Sequence, residues 1–276
     1  MSILESIIYG FISGFSEFSP VSSQAHQNLM MHLFGISGSV PLFNILVHLG
    51  MLAALIFSSR SMLARLRRDK VIMQKSHRRR GPRQILAGIY DIRVLRTASL
   101  PMIAMLICFA IFGHKKFSLL ITAVFLVVNG VILLIPDYVR QGNKDGRSFS
   151  ALDSIGLGIL GGLSGLPGIS RVGTTLSYSV CRGADKNTSY NWVLLLSIPA
   201  LILMFIFDIL GLTVSGLGAI NFLQILSALI AFVTSFIGSC AAVSFMRYIL
   251  VSVGLSGFAL YSWGTALFSF IVYLLT

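Results

Sequence analysis

Long hydrophobic stretches alternate with short polar segments along most of the chain. A transmembrane helix needs roughly 20 mostly apolar residues to cross the hydrocarbon core of a bilayer. The pattern predicts six such helices, at residues 41–57, 97–112, 117–135, 190–212, 220–245 and 249–275. The predicted fold class is therefore an all-α membrane protein, in which residues 1–276 form a single transmembrane domain.

Two further apolar stretches are too short or too broken to cross a bilayer on their own. Residues 2–34 are interrupted at Pro20, and residues 155–182 are interrupted at Pro167. Irregular backbone at membrane depth is tolerated only where it is buried in protein or lines a wet cavity. We therefore predict two re-entrant helix hairpins, each of which enters and leaves the membrane on the same side.

The two hairpins resemble each other in sequence. Gly14 and Gly161 each lie six residues before the proline of their hairpin, and a serine follows each proline after two or three residues. Each hairpin precedes three predicted spans, and an odd number requires the two halves to be inserted in opposite senses. We predict an inverted-topology repeat of residues 1–136 and 150–276, an arrangement that usually places binding sites near the membrane midplane.

Composition and charge favour a membrane protein over one that binds nucleic acid. The chain is 55% hydrophobic and 11% charged, whereas soluble domains carry about 25% charged residues. The net charge is +12, but 12 of the 21 lysine and arginine residues lie between Arg60 and Arg96, beside apolar spans. This clustering is typical of a cytoplasmic segment that attracts anionic lipid. We predict a basic loop at 60–96, anionic membrane lipid as its partner, and no nucleic acid partner.

The first hairpin contains the acidic and imidazole groups that are best placed for chemistry. Glu17 lies one turn before Pro20, and Ser22, Ser23 and His26 follow within nine residues. An ionisable group at membrane depth is costly unless it is paired or hydrated. We therefore interpret Glu17 as a carboxylate in a polar cavity that acts on a proton or a metal. His26 is interpreted as a group that donates, accepts or attacks at neutral pH.

The second hairpin contains the strongest single indication of a site, which is Arg171. A guanidinium group binds phosphate oxygens in a bidentate manner, and a helix start supplies free N–H groups that favour anions. The neighbouring donors are the main-chain N–H of Gly168 and the hydroxyl groups of Ser170, Thr174 and Thr175. The alternative is a structural pairing of Arg171 with Asp153 or Asp185.

Most other polar residues in the apolar segments are interpreted as structural. Asp208 is expected either to join a polar cavity or to pair locally, and Asn44 and Asn129 are expected to form helix–helix hydrogen bonds. The histidines that lack polar neighbours are His32, His48 and His114.

Together these groups are suited to phosphoryl transfer. Arg171 and the nearby donors would neutralise charge on the equatorial oxygens, while Glu17 and His26 would handle a proton, a metal or the nucleophile. A site within the membrane implies a substrate with a lipid tail.

Two motifs resemble those of a known family. Residues 17–26 read Glu-Phe-Ser-Pro-Val-Ser-Ser-Gln-Ala-His and resemble the E-F-x-P-V-S-S-x-x-H signature of the undecaprenyl-diphosphate phosphatases, the BacA-type family of bacitracin resistance. Residues 167–175 read Pro-Gly-Ile-Ser-Arg-Val-Gly-Thr-Thr and resemble the P-G-x-S-R-S-x-x-T signature of the same family. The resemblance covers nearly the whole chain.

The resemblance implies a function and a location. It implies a hydrolase in the bacterial inner (plasma) membrane that converts undecaprenyl diphosphate to undecaprenyl phosphate. This reaction recycles the lipid carrier of peptidoglycan and cell wall biogenesis. The implied partner is a polyprenyl diphosphate lipid. A homodimer is one option for its assembly.

The resemblance also implies residue roles. Glu17, His26 and Arg171 take the essential acidic, imidazole and cationic roles, and either Ser23 or His26 attacks phosphorus. The implied substrate-binding residues are Ser22, Gly168, Ser170, Thr174 and Thr175. A divalent cation, Mg²⁺ or Ca²⁺, is implied as cofactor, with Glu17 as a metal ligand.

The chain departs from the family pattern at three places. Ser13 stands where the family usually has glutamate or glutamine, Val172 replaces a serine, and Gln24-Ala25 replaces threonine-glycine. Loss of a carboxylate weakens a metal site that depends on two carboxylates. The alternative function is therefore a non-catalytic binder or flippase of polyprenyl phosphate, since inverted repeats recur in transporters.

Overall fold

The computed structural model describes residues 1–36, 40–78, 87–112, 117–140, 142–215, 221–252 and 254–275. Within these ranges the chain forms eleven α-helices. The helices are α1 (Ile3–Glu17), α2 (Ser23–Leu33), α3 (Pro41–Ser58), α4 (Arg60–Arg78), α5 (Ala87–Phe112), α6 (Leu119–Leu134), α7 (Ala151–Gly162), α8 (Arg171–Cys181), α9 (Lys186–Ser215), α10 (Phe222–Ser252) and α11 (Ser256–Leu275).

Six of these helices are long and apolar enough to cross a membrane, namely α3, α5, α6, α9, α10 and α11. They match the six predicted spans and confirm the all-α class. Their outer faces are apolar, as the exposed side chains of Val124, Val127 and Val131 on α6 illustrate. Such faces are stable in contact with lipid, whereas water would oppose their exposure. The chain is an integral, multi-pass membrane protein.

Two predicted span boundaries were wrong. Helix α5 begins at Ala87, ten residues earlier than expected, because polar side chains in its first turns are paired. Asp91 accepts hydrogen bonds from Arg65 at 3.1 Å and from the Trp192 indole at 2.9 Å.

Helix α10 continues to Ser252, and α11 begins at Ser256 instead of at residue 249. The start of α11 is held by Asp137, which follows α6. Its carboxylate accepts hydrogen bonds from the Leu255 N–H at 3.2 Å and the Ser256 N–H at 2.9 Å. A distant side chain thus caps this helix, which the local sequence does not reveal.

The basic segment 60–96 was predicted to be a loop, but its first half is helix α4. The helix is amphipathic: Met62, Leu66 and Asp69 are buried on one face. The basic side chains at its start lie outside that face and are exposed, so they do not oppose helix formation. The following basic residues, Arg79, Arg80 and Arg83, lie outside the described residues, as do His114, Lys115 and Lys116.

The first helix of each half of the chain packs against a helix of the other half. Helix α1 packs against α10, and α7 packs against α5. The α1–α10 contact is close because of Gly14, where an added Cβ would lie 2.2 Å from the Ser235 carbonyl oxygen. Small residues commonly allow such approaches between membrane helices.

Two breaks between short helices position the site. The first lies between α1 and α2 and contains Pro20, and the second lies between α7 and α8 and contains Pro167. Helix α1 contacts α2, and α7 contacts α8, so each pair folds back on itself. Proline lacks an N–H and its ring obstructs the preceding turn, so a helix cannot continue regularly through either break.

Candidate functional site

An ion pair joins the two breaks. Arg171, the first residue of α8, donates a hydrogen bond from Nη2 to Oε1 of Glu17, the last residue of α1. The two side chains are only 3% and 8% exposed. The structural alternative for Arg171 is wrong, because Asp153 pairs with Arg182 at 2.5 Å and Asp185 accepts from the Thr188 N–H at 3.0 Å.

A small polar cleft surrounds this ion pair, and residues from both breaks line it. The polar side chains that line it include Glu17, Ser22, Ser23 and Gln24 from the first break and Ser164, Ser170 and Arg171 from the second. Met204 of α9 adds one apolar wall. The cleft therefore contains hydroxyl, amide, carboxylate and guanidinium groups in a protein interior.

Two helix N-termini meet at the cleft. Helix α2 begins at Ser23 and α8 begins at Arg171, and both of these residues line it. The first N–H groups of a helix lack acceptors within the helix, and the helix dipole makes this end partly positive. The cleft is therefore suited to an anion, as phosphate sites at helix starts commonly are.

Arg171 has a donor that is not used. Its Nε is buried and has no hydrogen-bond partner among the residues that the structure describes. A buried donor without a partner costs about 1–3 kcal/mol. A bound anion that accepted a hydrogen bond from this Nε would remove that cost.

Asn129 of α6 holds the two breaks together. Its Nδ2 donates to the Pro20 carbonyl at 3.2 Å and to Ser262 of α11 at 3.2 Å. Its Oδ1 accepts from the Ser170 N–H at 2.9 Å. The predicted helix–helix hydrogen bonding of Asn129 is confirmed, and it also reaches both breaks. The Ser170 hydroxyl also donates a hydrogen bond to the Ser19 carbonyl at 3.2 Å, which joins the two breaks directly.

Unusual backbone conformations occur at both breaks. Ser22 has a φ of 59°, the one positive value for a non-glycine residue within the described part of the chain. Strained conformations of this kind cluster at functional sites. Gly168 has a φ of +112°, and a Cβ there would lie 2.6 Å from Cβ of Phe125. The two residues bond directly, because the Gly168 N–H donates to the Ser22 hydroxyl at 3.0 Å.

Three predicted substrate-binding donors form hydrogen bonds within the protein. The Gly168 N–H donates to the Ser22 hydroxyl. The Thr174 hydroxyl donates to the Leu160 carbonyl at 3.0 Å, and the Thr175 hydroxyl donates to the Arg171 carbonyl at 2.5 Å. Thr174 and Thr175 are not among the residues that line the cleft. Their role in binding substrate remains a prediction.

His26 lies beside the cleft and not on its wall. Its Nδ1 is 2.8 Å from the Ser22 carbonyl, and its Nε2 is 2.8 Å from the hydroxyl of Tyr261 on α11. Sequence reasoning missed Tyr261, because this residue lies within a long apolar span and belongs to neither of the two motifs. Ser23, the other candidate nucleophile, does line the cleft.

Polar residues outside the cleft pair with each other between helices. The His48 imidazole of α3 contacts the Asp208 carboxylate of α9 at 2.5 Å. The Tyr9 hydroxyl of α1 donates to Asn44 of α3 at 2.7 Å. Asp208 is paired as expected, although its partner lies 160 positions away in the chain and not locally. The expected helix–helix hydrogen bond of Asn44 is confirmed.

The side chains do not fit a cation site that is made by protein alone. Glu17 lines the cleft as a single carboxylate and is already paired with Arg171. Within the described ranges, no three histidine, cysteine, aspartate or glutamate side chains are grouped as metal ligands. Ser13, where the family usually has a carboxylate or amide, is buried, and its hydroxyl has no partner among the described residues. The divalent cation remains a prediction.

The fold and the site define a class: a multi-pass membrane protein with a buried polar cleft between two broken helix pairs. The model of the family described as "Bacitracin resistance protein BacA" matches residues 6–268. The chain belongs to this BacA family.

Similar proteins support this assignment. The chain is 30% identical over 272 residues to undecaprenyl-diphosphatase 1 of Shouchella clausii, a match that covers 98% of this chain and 96% of the relative. It is 29% identical over 265 residues to the undecaprenyl-diphosphatase of Carboxydothermus hydrogenoformans, with 95% and 94% covered. It is 26% identical over 268 residues to that of Methanobrevibacter smithii, with 95% of each chain covered.

Proposed function

We propose that this protein hydrolyses undecaprenyl diphosphate to undecaprenyl phosphate and inorganic phosphate, the reaction that recycles the lipid carrier of cell wall biogenesis. The observation that carries the proposal is the Arg171–Glu17 pair in a cleft where two helices begin. The similar proteins are named undecaprenyl-diphosphatases, which supports the same substrate.

In the proposed complex, the diphosphate occupies the cleft and the prenyl chain extends into the surrounding lipid. Arg171 would use its free Nε, and the N-terminal N–H groups of α2 and α8 would approach from two sides. These donors would neutralise charge that spreads over the equatorial oxygens of the transferred phosphoryl group. Glu17 would orient the guanidinium group through their ion pair.

The proposed reaction proceeds by attack on the terminal phosphorus. A nucleophile forms a bond to phosphorus while the bond to the bridging oxygen breaks, and undecaprenyl phosphate leaves with the bond electrons. A hydroxyl nucleophile passes its proton to a neighbouring base in this step. Water then attacks the phosphoryl-enzyme, a proton from water returns to the released nucleophile, and inorganic phosphate leaves. Both bonds are broken heterolytically, so no oxidant or reductant is required.

Two residues remain candidates for the nucleophile. Ser23 is supported by its position on the cleft wall, where its hydroxyl also donates to the Ser13 carbonyl at 3.3 Å. His26 is a stronger nucleophile at neutral pH, but its Nε2 is turned to Tyr261. We propose Ser23 as the nucleophile and His26 as the neighbouring proton carrier.

We also propose that the two broken helix pairs are re-entrant hairpins of an inverted repeat in the bacterial plasma membrane. Aligning Pro20 with Pro167 pairs Ser23 with Ser170, and both serines line the cleft. The packing of α1 on α10 and of α7 on α5 is the exchange that such a repeat would produce. The exposed basic side chains of α4 would then contact anionic lipid at the cytoplasmic surface.

The direct experiment measures phosphate release from a short-chain polyprenyl diphosphate by the purified protein in detergent, with and without Mg²⁺. We expect release by the wild-type protein and loss of at least about 100-fold in Arg171→Ala, as expected for a group that stabilises transition-state charge. The matched control is Arg67→Ala, because Arg67 is exposed on α4. Wild-type activity in Arg171→Ala would overturn the proposal.

A second function is favoured by one observation, the presence of Ser13. A chain with serine in place of the usual glutamate or glutamine would bind or flip polyprenyl phosphate without hydrolysing it. In that case the wild-type protein would release no phosphate but would bind polyprenyl phosphate through Arg171. Hydrolysis gained in Ser13→Glu would then identify the missing carboxylate as the cause.

A further inference from the structure

We propose that Tyr261 is a positioning residue that holds the His26 imidazole in a single tautomer and orientation next to the cleft. Its importance for catalysis rests on the proposed function, whereas the tautomer itself can be observed without any reaction. Two hydrogen bonds to the ring, one ring contact and the anchoring of α11 support this role.

The first hydrogen bond determines which ring nitrogen carries the proton. Nδ1 of His26 is 2.8 Å from the Ser22 carbonyl oxygen. A carbonyl oxygen can only accept, so Nδ1 must be the donor. In the neutral ring, Nε2 therefore carries the lone pair.

The second hydrogen bond engages that lone pair. The Tyr261 hydroxyl lies 2.8 Å from Nε2, so it donates to the neutral ring. The two rings are also nearly parallel, with centroids 5.7 Å apart and an interplanar angle of 7°. Because partners hold both nitrogens and the tyrosine ring packs beside the imidazole, rotation of the ring about its own axis is opposed.

The next residue along α11 fixes the position of Tyr261. Ser262 is buried, donates to the Leu126 carbonyl at 2.9 Å and accepts from Asn129. Asn129 also holds the Pro20 carbonyl at the first break. The same helix turn thus positions the imidazole partner relative to the backbone of the site.

A purely structural role for the Tyr261 hydroxyl explains these contacts less well than a role in positioning His26. The side chain is 50% exposed, whereas His26 is only 7% exposed. Removing an oxygen from a half-exposed ring leaves little packing to lose, but it leaves Nε2 of a buried imidazole without its donor. Nε2 is also the atom that would accept a proton or attack phosphorus. The hydroxyl therefore determines where this atom points.

The test compares wild-type protein with Tyr261→Phe, which keeps the ring and loses the hydroxyl. Tyr273→Phe is the control, because Tyr273 is an exposed tyrosine on the same helix. Diethyl pyrocarbonate reacts with the free imidazole lone pair, and peptide mass spectrometry reports modification of His26 separately from the other histidines. We expect His26 to react about fivefold faster in Tyr261→Phe, the factor that corresponds to a typical hydrogen bond.

A second readout is the ¹⁵N spectrum of histidine-labelled protein in detergent. We expect the wild-type His26 signal to be that of the Nδ1–H tautomer, and the Tyr261→Phe signal to shift towards a mixture. Unchanged reactivity and an unchanged spectrum in folded Tyr261→Phe would overturn the inference, as would an Nε2–H tautomer in the wild type.

Hydrolysis measurements separate this inference from the proposed function. In Tyr261→Phe we expect kcat to fall, because the His26 imidazole is no longer held in one orientation. We expect KM to be retained, because the Tyr261 hydroxyl does not line the cleft. Absence of phosphate release by the wild type would refute the proposed function, and the tautomer measurements would still decide the role of Tyr261.

Discussion

Arg171 and Glu17 are 154 positions apart in the chain, and their side chains meet in a buried ion pair between two broken helices. A buried ion pair contributes little net stability compared with apolar packing, but removing one partner leaves a buried charge and costs about 3–5 kcal/mol. The pair is therefore better explained by a function that needs a fixed guanidinium group than by stability.

The geometry of the guanidinium group, in addition to its charge, is expected to matter. Arg171→Lys keeps the charge but loses the planar set of N–H donors, including the buried Nε that has no partner among the described residues. We expect kcat/KM for diphosphate hydrolysis to fall about 100-fold, in line with loss of a preorganised donor. Arg67→Lys on exposed α4 is the control. Equal activity of Arg171→Lys and wild type would refute a bidentate role.

Asn129 is expected to be needed for stability as well as activity. In Asn129→Ala the Pro20 carbonyl and the Ser170 N–H lose their partner, and each buried group left unsatisfied costs about 1–3 kcal/mol. Thermal unfolding in detergent should show a lower Tm, together with reduced phosphate release. Asn143→Ala, in an exposed loop, should leave both unchanged. A Tm for Asn129→Ala equal to the wild-type value would contradict the bridging role.

Gly168 is expected to tolerate no side chain. Its φ is +112°, and a Cβ would lie 2.6 Å from Cβ of Phe125, so Gly168→Ala combines backbone strain with overpacking. Each effect costs about 1–3 kcal/mol, and the Tm should fall. Gly257→Ala is the matched control, since a Cβ there meets nothing within 4 Å. Similar Tm values for the two variants would show that the second break can adapt.

The nucleophile can be identified by trapping the phosphoryl-enzyme. A phosphoserine survives acid, whereas a phosphohistidine does not. Because Ser23 lines the cleft and His26 does not, we expect acid-stable label on the peptide that contains Ser23, and no label in Ser23→Ala. Acid-labile label that persists in Ser23→Ala would instead assign the attack to His26.

The ion pair between Asp153 and Arg182 should make stability depend on pH in the acid range. Burial alone would raise the pKa of the Asp153 carboxyl, but hydrogen bonds from Ser150 and Arg182 outweigh it and hold the pKa below its ordinary value of 3.8. A depressed pKa stabilises the folded state above the ordinary value, and this contribution is lost as the pH falls through the folded value. The Tm difference between wild type and Asp153→Asn should therefore shrink below pH 3.8. A constant difference down to acid pH would contradict this assignment.

The spans and the two charged residues of the site could be predicted because each leaves a local signal. Apolar length indicates a span, and a charge such as Glu17 or Arg171 in an apolar segment needs a partner. The hydrogen-bond partners left no such signal. Tyr261 and Asp137 act on residues distant in sequence, so only tertiary packing reveals them.

The acceptors that the helix hydroxyl groups use could not be predicted from the sequence. The hydroxyl groups of Thr174 and Thr175 were expected to face an anion, but both donate to main-chain carbonyls. Threonine hydroxyls within a helix readily bond to preceding carbonyls, and sequence alone does not distinguish this from ligand binding. Helix α4 was also missed, because its abundant basic residues obscured the buried stripe that includes Met62 and Leu66.

The most direct test of the central claim is a double-mutant cycle on hydrolysis of a short-chain polyprenyl diphosphate, with Arg171→Ala, Glu17→Ala and the double variant. If the two side chains act as one unit, each single substitution lowers kcat/KM by about 100-fold or more, and the double variant loses little beyond the worse single one. Wild-type rates in either single variant, or losses that multiply in the double variant, would contradict the account.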